Sequence, residues 1–249
     1  MTGTSITKAD WETVKRFFSQ HPKTIKALYQ DSVSKILRTF IRFKSTIVAL
    51  GKELGQGAFG VVNYAQDEQN REFAVKTENG EINQSDIEEL FIAQDLDYAY
   101  GITDHQVGTK KEKFKLLKYL DGVDLAFEIY DKYKYFNDHK MEKLNKLTYV
   151  QRLIIAIKVC LRLKELQKHR IIHADLKPEN IKVKVNGNNI EVYLMDFGFS
   201  MRLPSGSTTK IDGCKGTPGY IAPEIYNQAF PSYSQMIFSF ESDIYAIGA

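Results

Sequence analysis

The run His173-Ala174-Asp175-Leu176-Lys177-Pro178-Glu179-Asn180 puts a carboxylate, an ammonium and a carboxamide within six positions, Asp175 to Asn180. Downstream, Asp196-Phe197-Gly198 adds a second carboxylate beside a flexible glycine. Such a set can hold a hydroxyl substrate and two magnesium ions against a triphosphate. His173 reads as a packed scaffold residue rather than an acid–base group.

Two upstream segments supply what such a loop would need. Leu54-Gly55-Gln56-Gly57-Ala58-Phe59-Gly60-Val61-Val62 sits between two strand-like runs. Glycines there let backbone N–H groups approach phosphate oxygens without side-chain obstruction. By itself that string also fits an ordinary glycine-rich hairpin turn. Phe73-Ala74-Val75-Lys76 follows at a strand spacing and brings a cation to the same region. Ser85-Asp86-Ile87-Glu88 has the form of a capping box, opening a helix to about Leu96.

The elements that must position these groups follow from periodicity. Residues 5–46 read as two or three amphipathic helices. Trp11, Val14, Phe17 and Phe18 share one face, Val33, Ile36, Leu37, Phe40 and Ile41 share another, and His21-Pro22 separates them. From about Ile47 the pattern changes to short strands with glycine turns. Lys113 to Leu120 read as a strand leading into a hinge. Leu147 to Gln167 read as a long helix with Leu153, Ile154, Ile157, Leu161 and Leu163 on its apolar surface. Asn186-Gly187-Asn188-Asn189 joins strands Ile181–Val185 and Ile190–Leu194 as a hairpin.

Taken in order, these motifs, closed by Ala222-Pro223-Glu224, resemble the protein kinase superfamily over roughly residues 47–249. The resemblance implies an α+β, two-lobed fold: a β-rich small lobe with one key helix, and a mainly helical, incomplete large lobe. The division expected is 1–46 as an N-terminal helical extension, 47–119 as the small lobe and 120–249 as the large lobe. Lys76 is then expected to contact the α- and β-phosphates of ATP and to pair with a helix glutamate. Glu88 and Glu89 both compete for that role. Glu89 is favoured because Ile92, Ala93 and Leu96 follow it at the family's apolar spacing. Leu54, Gly55, Gly57, Gly60, Val62, Ala74, Leu117, Lys118 and Leu120 are implied to surround the nucleotide, with Leu117 as gatekeeper and the Lys118 and Leu120 backbones bonding adenine. Asp175 is implied as the base and Lys177 as the charge stabiliser, with Asn180 and Asp196 holding Mg2+. Lys177-Pro178-Glu179-Asn180 and Gly216-Thr217-Pro218-Gly219-Tyr220 resemble the serine/threonine class, which implies a protein substrate with a Ser or Thr acceptor. A pseudokinase scaffold and an enzyme acting on a small molecule are the alternatives.

Ala174 stands where most of the family has arginine, so control by a phosphorylated activation loop is expected to be missing. Ser205, Ser207, Thr208 and Thr209 then read as ordinary polar loop residues, and Arg202 or Lys210 as the basic residues that could replace the arginine. Ser242-Asp243-Ile244-Tyr245-Ala246-Ile247-Gly248-Ala249 resembles the start of the family's buried central helix, and the stop after it is expected to mark a truncated large lobe. The spacing and the N-terminal helices also resemble bacterial effector kinases.

Composition limits the rest. A net charge of +3, with lysines and acids mixed along 249 residues, argues against a nucleic-acid or membrane-surface partner. Two cysteines without a framework suggest a reducing compartment. No apolar run is long enough to span a bilayer, and Met1 to Asp10 lack a signal-peptide core. The cytoplasm is expected, or a host cytosol if the protein is delivered there. Residues 1–46 are expected either to pack on the small lobe or to bind a partner.

Overall fold

The computed structural model describes residues 6–57, 60–129, 147–213, 215–228 and 236–249. The chain divides into two units, residues 1–119 and 120–249.

In the first unit, helix α1 (Lys8–Gln20) begins with a capping box between Thr7 and Asp10 and ends at His21, ahead of Pro22. Its buried positions Trp11, Val14 and Phe18 recur at helical spacing. They meet Phe40 and Ala49 of the sheet, with the Trp11 and Phe40 rings edge to face at 5.2 Å. The second expected helix is not formed. Residues 26–42 instead make a hairpin of β1 (Lys26–Gln30) and β2 (Leu37–Arg42). The reason lies in the turn: Asp31 Oδ1 accepts from the Val33 and Ser34 N–H groups at 2.9 and 2.8 Å, and Lys35 adopts φ +59°. Phe40 and Ile41, adjacent on a strand, therefore face opposite sides. Phe40 joins the α1 cluster, whereas Ile41 joins Phe43, Val48, Ala65, Phe73, Val75, Phe114 and Leu116.

That hairpin extends the sheet of the first unit to seven strands in the order β1-β2-β3-β4-β5-β7-β6. The others are β3 (Ile47–Gly57), β4 (Gly60–Gln66), β5 (Glu72–Asn79), β6 (Ala99–Val107) and β7 (Lys110–Lys118). Helix α2 (Gln84–Asp95) lies between β5 and β6 in sequence. Residues 6–46 thus belong to the sheet's own unit, sharing its core, rather than to a separate helical module.

The second unit holds β8 (Val123–Asp124), α3 (Leu125–Ile129) and the long helix α4 (Tyr149–Lys168). The α4 face expected from sequence is not the buried one. Leu153, Ile157 and Leu161 are exposed, and Ile155, Val159 and Leu166 are buried. Apolar residues surround this helix, so periodicity alone could not choose the side. Strands β9 (Ile171–Ile172), β10 (Ile181–Asn186), β11 (Asn189–Leu194) and β12 (Met201–Arg202) follow. β10 and β11 form the expected hairpin, turning through Gly187 at φ +60°. β13 (Thr209–Asp212) pairs with β14 (Met236–Ser239), flanking α5 (Pro223–Gln228), and α6 (Phe240–Gly248) ends the chain. Ile172, Met201, Leu203, Ala222, Ile225, Met236 and Phe238 form a core beneath these pieces. Thr209, read from sequence as loop, is a strand residue.

Candidate active site

Register places the candidate residues of the first unit. On β4, β5 and β7, Val62 pairs with Lys76 and Lys76 with Lys115, while Tyr64 pairs with Ala74 and Ala74 with Leu117. Directly opposed residues share a face, as do residues two apart. Val62, Ala74, Lys76 and Leu117 therefore line one side of the sheet, with Phe73, Val75, Phe114 and Leu116 packed on the other. Gly57 and Gly60 close the β3–β4 hairpin. Ala58 and Phe59 lie outside the described residues. Gly60 adopts φ +145°, and a Cβ there would come 2.1 Å from the Thr77 carbonyl oxygen. At Gly55 and Gly57 a Cβ would meet nothing within 4 Å, so packing does not require glycine there. The Lys118 N–H is committed to Tyr98 O at 2.9 Å, so only the carbonyl of Lys118 could serve an adenine edge. Leu54 is exposed, and Leu120 begins the second unit.

Lys115, expected only as a strand residue, reaches the helix glutamate. Glu89 is bound by Lys115 at 2.5 Å, whereas Lys76 lies 3.0 Å from Glu78. The capping box is formed by Asn83 and Asp86 rather than by Ser85 and Glu88, so α2 starts two residues earlier than the Ser85 cap implied. Glu88 is exposed, beside Gln84. The signal for Lys115 was present in the alternation Lys113-Phe114-Lys115-Leu116, which sets two lysines opposite two core residues.

The candidate residues of the second unit form one hydrogen-bonded group. Asp175 Oδ1 accepts from the Thr217 hydroxyl at 2.6 Å, and Asp175 Oδ2 lies 2.9 Å from Lys177 Nζ. Lys177 Nζ also donates to Thr217 Oγ1 at 2.7 Å. Asn180 Nδ2 donates to Asp175 O and Oδ2 at 2.8 and 3.0 Å, which leaves its amide oxygen as the atom able to meet a cation. Asp196 is an exposed residue in the left-handed region, φ +58°, a conformation that aspartate tolerates better than most residues. Behind it Phe197 is buried against the His173 ring.

His173 is fully buried and structural. Its Nε2 meets Met195 O at 2.9 Å and its Nδ1 meets the Asp175 N–H at 3.4 Å, so one tautomer serves both contacts. Asp243, on α6, accepts from the His173 and Ala174 N–H groups at 2.7 and 2.9 Å. Burial pushes the Asp243 carboxyl above its usual range, against the His173 ring and these two amides. This anchor was not read from the sequence, because its two ends are some 70 residues apart.

The same order of motifs carries over to whole-domain comparison. The model of the protein kinase domain family matches residues 48–249. This chain belongs to that family. Among similar proteins, myosin light chain kinase A of Dictyostelium discoideum is 28% identical over 187 residues, covering 71% of this chain and 57% of its own length. Serine/threonine-protein kinase PEPKR2 of Arabidopsis thaliana is 28% identical, covering 75% and 36%. Serine/threonine-protein kinase 33 of Bos taurus is 30% identical, covering 81% and 40%. The chain therefore spans about two-fifths to three-fifths of these relatives' lengths. Among the described residues of this kinase domain, no helix is long and apolar enough to cross a membrane.

The segment after Gly198 is tied down without Ala174. Arg170, itself at φ +59°, donates to Ser207 O at 2.6 Å and also to Leu203 O and Pro204 O, while the Leu203 N–H returns to Arg170 O at 2.8 Å. Arg202 donates to His169 O at 2.8 Å. Arg170 carries no signal in the sequence, because its partners are main-chain atoms.

Proposed function

We propose that this kinase domain transfers the γ-phosphoryl group of ATP to a serine or threonine hydroxyl of a protein. The observation that carries this reading is the Asp175–Lys177–Thr217–Asn180 group. It sets a carboxylate acceptor and a cation around one hydroxyl, with an amide bonded to the carboxylate. Asp175 would orient the incoming hydroxyl and take its proton, and Lys177 would offset charge on the transferring group. The Asn180 amide oxygen and the exposed Asp196 carboxylate are hard oxygen donors, which suits Mg2+. Bound there, the metal would neutralise charge on the phosphates. Open space at Gly55 and Gly57 leaves their backbone approachable by phosphate. Lys76, on the same sheet face as Val62, Ala74 and Leu117, would contact the α- and β-phosphates, and the other three would flank the base. Two of the similar proteins are named serine/threonine-protein kinases, which supports the acceptor class.

The test is Mg2+-dependent transfer from ATP to a Ser/Thr peptide library. Asp196→Ala should leave the fold intact and lower turnover by at least about a hundredfold, because a metal carboxylate is lost. Near-normal turnover in Asp196→Ala would remove Asp196 from the metal site. Nucleotide binding without transfer by the unsubstituted chain would favour the scaffold reading, and transfer only to small hydroxyl compounds would favour the third.

A further inference from the structure

We propose that residues 236–243 fix Thr217 on Asp175 for phosphoryl transfer, with the Asp212–Lys215 pair as the positioning link between them. This rests on the kinase reading above and adds to it what holds Thr217 in place. β14 pairs antiparallel with β13 from Thr209↔Ser239 to Asp212↔Met236. Alternation along β14 sends Met236 and Phe238 inward, each 1% exposed, and Ile237 outward. The two inward side chains join Met201 and Leu203, at one end of the segment after Gly198, and Ala222 and Ile225, at its other end. The Ala174 side chain packs against the same cluster. β14 is thus the strand on which both ends of the segment and the loop that bears Asp175 converge.

The same short stretch reaches the loop by hydrogen bonds as well. Ser239 ends β14, Phe240 begins α6, and the Ser242 hydroxyl closes the corner on Ser239 O at 2.6 Å. Asp243 follows, accepting from the His173 and Ala174 N–H groups. From the ribbon, position passes to Thr217 through Asp212, the last residue of β13. Asp212 accepts from the Gly213 N–H at 2.7 Å and from Lys215 Nζ at 2.9 Å. Burial pushes the Asp212 carboxyl up, but these two bonds outweigh it and hold it below its usual range, so the carboxylate is ionised at neutral pH. Gly216 comes next at φ +103°, where a Cβ would lie 3.1 Å from Ala174 O. The segment therefore rests directly on the loop at Gly216, one residue before the Thr217 hydroxyl that donates to Asp175 Oδ1. A shift of β13 relative to Asp243 would carry that hydroxyl off the carboxylate.

Substitutions in the 249-residue chain test this, with kcat and KM for Mg·ATP as the readouts. Asp212→Ala and Lys215→Met should each lower kcat about fivefold and leave KM for Mg·ATP unchanged. The exchanged pair, Asp212→Lys with Lys215→Asp, should recover most of the lost kcat, which a loss of packing alone would not allow. Thr217→Val should lower kcat too. In that background Asp212→Ala should change kcat by less than about twofold, because its effect passes through the missing hydroxyl. Amide hydrogen exchange at Thr209–Asp212 should be slow in phosphatase-treated protein, since the ladder to β14 is main chain on both sides. Multiplying effects of Asp212→Ala and Thr217→Val, no recovery by the exchanged pair, or fast exchange along β13 would each overturn the proposal while leaving the kinase reading intact. No transfer by the unsubstituted chain would overturn the kinase reading itself.

Discussion

Ala174 and Arg170 together decide how the segment after Gly198 is held. A methyl group cannot offer a phosphate the charge-assisted bonds of a guanidinium. Arg170 supplies a guanidinium nearby, but directs it to the carbonyls of Leu203, Pro204 and Ser207, which are present whatever the phosphorylation state. Phosphatase treatment, with loss of phosphate checked by mass, should therefore leave the initial rate within about twofold. Joint replacement of Ser205, Ser207, Thr208 and Thr209 by alanine should do the same. Arg170→Ala should lower kcat by about tenfold, equivalent to roughly 1.4 kcal/mol in the barrier. A rate collapse on dephosphorylation would show that a phosphate, and not Arg170, orders the segment.

At the scale of elements, helix α1 is attached to the β1–β2 hairpin by one carboxylate. Asp10 accepts from the Thr7 hydroxyl at 2.6 Å, the Tyr29 hydroxyl at 2.9 Å, and the Ser32 hydroxyl and N–H at 3.0 and 3.3 Å. Burial pushes its carboxyl up, but these bonds outweigh that and hold it at about 2, below the usual 3.8. A carboxyl whose pKa is lower in the folded state stabilises above its unfolded pKa and loses that contribution as pH falls through the folded one. The Asp10 contribution should be complete above about pH 4 and fade between pH 4 and 2. Asp10→Asn should cost about 0.5–2 kcal/mol at pH 7, the size of a lost capping interaction. Urea unfolding of both proteins should show the gap closing as the pH approaches 2. A gap unchanged by pH would mean that Asp10 is not ionised where it sits. The same two elements explain why sequence periodicity misread residues 26–42. Val33, Ile36, Leu37, Phe40 and Ile41 fit a helical stripe, yet the Asp31 turn and the α1 face turned them into strand and loop.

At the scale of the whole chain, the proposal above has nucleotide and metal meet Lys76, of residues 1–119, and Asn180 and Asp196, of residues 120–249. A ligand that binds only the folded chain stabilises it by about 2.7 kcal/mol at a hundred times its Kd. Mg·ATP at that excess should raise the unfolding midpoint by roughly 5–10 °C for a chain of this length. EDTA should remove most of the shift. A shift of equal size with ATP and EDTA would separate nucleotide binding from the proposed Asn180 and Asp196 metal site.

The amino-acid sequence alone determined the motif-bearing segments: the glycine hairpin at 54–62, Lys76, the loop from His173 to Asn180, and Asp196-Phe197-Gly198. Each is a short run whose chemistry depends on residue types a few positions apart, so its meaning survives without a fold. Tertiary structure decided which charges meet. The contact of Lys115 with Glu89 depends on the register of β5 against β7 and on a helix that begins at Gln84 behind its Asn83 cap, and the support of His173 depends on a residue some 70 positions away. Lysines 76 and 115 are alike in type and neighbours in space. Only the long-range pairing of strands and helix, which no local spacing encodes, brings Lys115 to Glu89.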